Sequence, residues 1–301
     1  ECILFPMRKR SEFENELLLA KKAAEDALKE KDRVNVELQY TLQTLKEKQE
    51  ELQKLYIQNE KHQLDTKQEL ELASNIQKTL LTEPFQHERL AMESFYKPSG
   101  ELSGDMYGVY QIDEHRYGII ILDVMGHSIS SALITVSLHS LFHRLIARGF
   151  TTEIVMKELD KHLHALFHNN EDARHYCTAI YLLIDTAKRE IEYVNSGHPP
   201  ALWLDGDGNV YELGSTTPPI GLLHGISFNG RVFSYEKGGR LLLYTDGVTE
   251  PIEADFLQQI LKENKNVSIA SVKETIVETT NNRTAVFDKK DDQCLIIVDV
   301  K

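Results

Sequence analysis

The chain has 301 residues, 41% hydrophobic and 27% charged, a composition that allows one large or two modest globular domains. Its net charge of −13, from 47 acidic against 34 basic residues, argues against a nucleic-acid binder, which needs a basic face; metal binding or plain solubility remain as uses for the acid. Cys2, Cys177 and Cys294 lie far apart without a CxxC, so neither a disulfide framework nor a zinc knuckle is visible and a reducing, cytoplasmic setting is expected.

No signal peptide stands out, and no uninterrupted apolar run nears the ~18 residues of a membrane span. The chain opens on Glu1 rather than Met and reads as a fragment or processed form. In residues 1–10, Cys2 to Phe5 read as the last strand of a preceding domain, followed by Pro6 and a basic cluster.

Residues 11–82 contain no Gly or Pro and are crowded with good helix formers. Leu17, Ala24, Lys31, Leu38, Leu45, Leu52, Asn59, Thr66, Ala73 and Leu80 recur in sevens, with Ala20, Ala27, Val34, Thr41, Lys48 and Leu55 three places on. A narrow two-position seam flanked by charge predicts a parallel dimeric coiled coil. His62 is read as a solvated helix-face residue. From Leu70 to Leu81 the stretch turns more apolar, as a helix packing onto the next domain would, and Pro84 marks the break.

From there to residue 301 the texture is short apolar strands, Gly turns and paired helices. Strands are predicted at 90–96, 105–112, 116–123, 176–185, 190–195, 200–204, 209–213, 231–234, 240–245 and 293–300. Helices are predicted at 128–147, 152–168, 253–263 and 268–281. Strands follow one another through hairpins, as at Asp113-Glu114-His115, which predicts α+β with antiparallel sheets.

Aspartates stand at four strand ends. Asp105 opens a strand after Gly104, Asp123 closes GIIILD, Asp246 closes LLLYTD before Gly247, and Asp291 and Asp292 precede the last strand. Singly, each reads as an Asp-Gly turn or a helix cap. Four together imply carboxylates that repel unless a multivalent cation holds them. The available ligands are all oxygen, so the cation is a hard one, Mg²⁺ or Mn²⁺, and the Val124 carbonyl is a further candidate ligand.

SGDMYGVY, LDVMGHSISSALI, YVNSGHPPALWL, LLLYTDGVTE and DDQCLIIV stand in the order and spacing of PPM-type (protein phosphatase type-2C) enzymes. Over about residues 70–301 the chain resembles their bacterial SpoIIE/RsbU branch. The PMRKR-to-coil entry resembles members in which a PAS sensor domain precedes a coiled coil. The resemblance implies a PAS-like remnant at 1–10, a coiled-coil linker and switch helix at 11–82, and a phosphatase domain at 83–301. It also implies a four-layer αββα sandwich with two Mn²⁺ or Mg²⁺ ions per subunit. The implied substrate is phosphoserine or phosphothreonine on a STAS-domain anti-sigma-factor antagonist in a stress-response pathway. No side chain is then the nucleophile, because a metal-bound water attacks phosphorus.

By motif match Asp105, Asp123 and the Val124 carbonyl flank the ions, and Asp246 holds them from the other side with Asp291 or Asp292, Asp291 being favoured. Gly104, Gly126, His127, His198 and Gly247 are expected to support these ligands or touch substrate. For His198 a structural place in the NSGHPP turn is preferred. Three positions depart from the family's pattern: Ser128, Ser130 and Gly108. His139 and His143, one turn apart, lack a third ligand for zinc. The alternative readings are a two-metal nucleotidyl cyclase and an inactive dimeric scaffold. The absence of a GGDEF-like stretch disfavours the first.

Overall fold

The computed structural model describes residues 4–126, 128–167, 175–252, 254–284 and 291–301. Two compact units result, Glu1–Gln68 and Glu69–Lys301. A single helix, α1 (Leu4–Thr79), supplies the described part of the first and enters the second.

The strand expected at Cys2–Phe5 is not formed where described. Leu4 and Phe5 are already helical, and Cys2 lies outside the described residues. Pro6 falls in the first turn of α1, where its missing N–H removes no helical bond. Residues 10–69 are exposed on every side. The seam is bare in a single chain: Leu38 is 53% exposed, Leu45 60% and Leu52 71%.

The second unit contains β1 (Phe85–Gln86), β2 (Leu90–Lys97), β3 (Asp105–Gln111), β4 (Arg116–Val124), α2 (Ile129–Ile146) and α3 (Thr152–Leu166). It continues through β5 (Cys177–Asp185), β6 (Glu190–Ser196), β7 (Ala201–Leu204), β8 (Val210–Leu213), β9 (Arg231–Ser234) and β10 (Gly239–Tyr244). Then come α4 (Asp246–Thr249), α5 (Ala254–Glu263), α6 (Ile269–Thr284) and β11 (Gln293–Val300). The strands form two sheets, ordered β1-β2-β11-β10-β7-β8 and β3-β4-β5-β6-β9, with antiparallel neighbours throughout. α2 and α3 cover the second sheet, and α5 and α6 cover the first.

Strand alternation explains the four layers. Along β4, Ile119 and Ile121 point into the core between the sheets, while Ile120 and Leu122 point into the core under α2 and α3. Along β10, Leu241 and Leu243 face between the sheets and Leu242 and Tyr244 face α5 and α6. Both faces are dry, so these strands read as unbroken apolar runs, unlike a sheet with one wet face. Each buried isoleucine or leucine contributes on the order of 2 kcal/mol by leaving water.

α2 is apolar enough on average to match a membrane span by length, but half of it is buried, as a core helix is. Its serines and threonines interrupt any continuous run. Two short elements had no sequence signal, β1 and α4. LLLYTD also ends sooner than expected: β10 stops at Tyr244, Thr245 is extended, and Asp246 opens α4.

Candidate metal centre

β3 and β4 pair with Asp105 directly opposite Asp123, and β5 sets Thr178 on the far side of Asp123. The turn at the other end of the hairpin holds this register, since the Asp113 carboxylate accepts the N–H groups of His115 and Arg116. The other sheet reaches the same edge through Thr245. Its N–H donates to the Cys294 carbonyl at 3.0 Å, and its hydroxyl donates to Oδ2 of Asp105 at 2.7 Å. That hydroxyl leaves α4 without a side-chain cap, so a local helix contact has been given up for one across the sandwich.

Asp105 is 2% exposed, and its pKa is driven well above the carboxylate range. Burial is the main cause, followed by the charge of Asp123; Asp292 and Asp246 add to it and the Thr245 hydroxyl opposes it. Asp123 is pushed up to about 7, first by burial and then by Asp246, Asp291 and Asp292, while a hydrogen bond with Asp105 opposes the rise. Two carboxyl groups share a hydrogen bond only with a proton on one of them, or a cation in its place. The leading charges acting on both groups are other carboxylates.

An all-oxygen acidic edge of this kind fits a hard divalent cation. Among the described residues no three His, Cys, Asp or Glu side chains enclose an ion by themselves. The acids nevertheless share one electrostatic field.

The neighbours Asp291 and Asp292 differ in what they hold. Asp292 is 4% exposed, and its two oxygens accept the N–H groups of Ser99 at 2.7 Å and Gly104 at 2.8 Å. It fastens the loop between β2 and β3. Asp291 is partly exposed and accepts the Asp292 N–H through Oδ1. Asp246 is exposed at the start of α4.

Two glycines allow the close approaches. A Cβ on Gly104 would stand 2.6 Å from the Val124 carbonyl oxygen, and one on Gly247 would stand 2.0 Å from the main-chain oxygen of Asp292. Gly126 turns the chain after β4 with φ of +89°. His127 lies outside the described residues.

His198 is 3% exposed; its N–H donates to Asn195 Oδ1 and its Nδ1 meets the Thr178 hydroxyl at 2.9 Å. Burial lowers its pKa to about 3, against a small upward pull from the Tyr244 main chain. Its Nε2 nevertheless has no hydrogen-bond partner of good geometry, so the ring is neutral. His139 sits apart on the buried side of α2, with Nε2 2.6 Å from the Tyr110 hydroxyl, and burial lowers it to about 4. Cys177 and Cys294 are fully buried near the acids, and burial pushes both thiols up. Neither offers a thiolate.

Sequence reading passed over Thr245, Thr178 and Gln77. Nothing local marks Thr245 or Thr178. The only trace of Gln77 is a polar residue on the packed side of the 70–81 stretch.

The family profile for stage II sporulation protein E (SpoIIE) matches residues 113–301. The phosphoserine phosphatase RsbP of Bacillus subtilis is 55% identical over 301 residues, which is 100% of this chain and 75% of that protein. Among solved structures, the SiaA-PP2C domain of Pseudomonas aeruginosa superposes with a TM-score of 0.69 at 18% identity, over 80% of this chain and 99% of that one. RsbX in complex with magnesium superposes with a TM-score of 0.60 at 15% identity, over 73% of this chain and 99% of that one.

Proposed function

Since the chain belongs to the SpoIIE family and is a serine/threonine phosphatase of the metal-dependent PP2C type, we propose that it dephosphorylates a STAS-domain anti-sigma-factor antagonist in the cytoplasm. The observation that carries this reading is the acidic edge, where Asp105, Asp123, Asp246, Asp291 and Asp292 act on one another's charge. A divalent cation would offset the repulsion along such an edge near neutral pH.

In this proposal Asp105, Asp123 and the Val124 carbonyl hold two Mn²⁺ or Mg²⁺ ions from one sheet, and Asp246 and Asp291 hold them from the other. When bound, the ions supply Lewis acidity that activates water and neutralises the phosphoryl oxygens. Asp292 latches the loop that carries Gly104, and the Thr245 hydroxyl fixes one oxygen of Asp105. His198 props the NSGHPP turn against Thr178 and carries no charge. The buried, protonated thiols of Cys177 and Cys294 are not available as nucleophiles.

The proposed domain plan is a PAS-like remnant at 1–10, a coiled-coil and switch helix at 11–82 and the phosphatase at 83–301. The exposed seam supports a parallel homodimer through the coil. Leu45→Asp is expected to weaken that dimer in sedimentation, and an unchanged dimer would count against the coil.

The decisive experiment follows phosphate release from p-nitrophenyl phosphate and from a phosphoserine STAS protein with Mn²⁺ and then with a chelator. Release that needs Mn²⁺ is expected. Full activity in the chelator would overturn the metal reading.

A further inference from the structure

We infer that Gln77 is a positioning residue for the acidic edge, gripping the main chain of Ser103 so that Gly104 and Asp105 meet Asp292 and Asp123. This rests on the metal reading above. Gln77 lies in the last turn of α1, within the unit Glu69–Lys301, and is 2% exposed.

Its amide makes a two-way pair with one residue. Nε2 donates to the Ser103 carbonyl at 2.8 Å, and Oε1 accepts the Ser103 N–H at 3.2 Å. Oε1 also accepts the Tyr96 hydroxyl at 3.3 Å. Ser103 is fully buried, so water is not at hand to replace these bonds. A side-chain amide offers a donor and an acceptor side by side, which no apolar or carboxylate side chain does.

From Ser103 the bonds run straight into the edge. The Ser103 hydroxyl accepts the Asp105 N–H at 3.0 Å. The Gly104 N–H goes to Asp292, and the Gly104 carbonyl accepts both the Thr135 hydroxyl at 2.7 Å and the Val124 N–H at 3.2 Å. One helix residue therefore holds the segment from which Asp105 departs and onto which Asp292 is latched. That segment has to resist the repulsion among the acids, so a loosened grip moves donor atoms and not merely a loop. A purely structural glutamine would affect stability and leave metal affinity alone.

The test measures Mn²⁺ binding on the full chain from the paramagnetic resonance of free Mn²⁺. Tm and phosphate release at limiting and saturating Mn²⁺ are recorded alongside. Gln77→Met keeps the volume and loses both polar groups. It is expected to weaken Mn²⁺ binding about tenfold, with activity reduced more at limiting than at saturating metal. Gln77→Asn, one methylene shorter, is expected to fall between Gln77→Met and the parent. Leu81→Ala loosens nearby core packing without touching the amide pair, and should lower Tm while binding Mn²⁺ as the parent does.

Parent-like Mn²⁺ affinity in the Gln77 variants would overturn the inference, as would an equal loss in Leu81→Ala. If Gln77→Met fails to fold, Gln77→Asn decides alone. Asp246→Asn separates the two levels: parent-like Mn²⁺ binding there defeats the metal reading itself, whatever Gln77 does.

Discussion

The sandwich carries aspartates at both of its ends, and the two sets live under opposite electrostatics. At the hairpin end, Asp113 is held at about 2 by the Arg116 side chain and then by the His115 N–H. Asp205 is also held at about 2, where burial pulls upward but the side chain and N–H of Asn209, with the N–H groups of Asp207 and Gly208, outweigh it. At the other end Asp105 and Asp123 are driven up by burial and by the carboxylates around them. The same residue type, beside similar turns, is an ordinary anion where donors surround it and a reluctant one where acids do. Neighbours from distant strands make the difference.

Asp246→Asn should break the contrast most severely. It removes one acid from the crowded end, and Mn²⁺-dependent phosphate release is expected to fall at least about a hundredfold. Next comes Gly247→Ala, whose Cβ would stand 2.0 Å from the Asp292 main-chain oxygen. The clash has to move backbone, so a loss of about 3 kcal/mol in denaturant unfolding is expected, with weaker Mn²⁺ binding.

The pH response of metal-free protein sharpens the contrast further. Asp123 keeps its proton in the fold up to about 7, whereas the unfolded chain releases it near 4. The Asp123 share of stability should therefore fall as pH rises through that window and level off above it, by about 4 kcal/mol. Thermal melts across the window check this, and Asp123→Asn or saturating Mn²⁺ should flatten the slope. The smallest effect belongs to the hairpin end. Asp113→Ala loses an exposed ion pair and two exposed turn bonds, so a change of about 1 kcal/mol with unaltered phosphatase activity is expected.

Much of this architecture was legible because apolar runs and turn residues are local signals. GIIILD and LLLY announced strands, and hairpin turns such as Asp113-Glu114-His115 announced antiparallel pairing. Reading Leu4 and Phe5 as part of a strand failed because two β-favouring side chains cannot outweigh a long helix propagating into them, and Pro6 is harmless in a first turn. α4 was hidden for a related reason, since Thr245 and Asp246 look like the tail of a strand until a contact across the sandwich takes the threonine hydroxyl. The aspartates themselves could be named from their strand ends. What Asp292 does instead of Asp291, and what Gln77 does at all, depends on main-chain N–H groups far away in the chain, and no local pattern encodes them.

The latch from Gly104 to Asp292 spans 188 positions, and the Thr245 hydroxyl reaches Asp105 across 140. By contrast, Asp105 and Asp123 meet within one hairpin. During synthesis the ribosome releases that pair early, yet Thr245 and Asp246 emerge more than a hundred residues later and Asp291 and Asp292 only just before β11. A nascent polypeptide that has not yet released β11 thus carries half of the acidic edge and no latch, so synthesis has to pass Asp292 before the loop carrying Gly104 can be fastened.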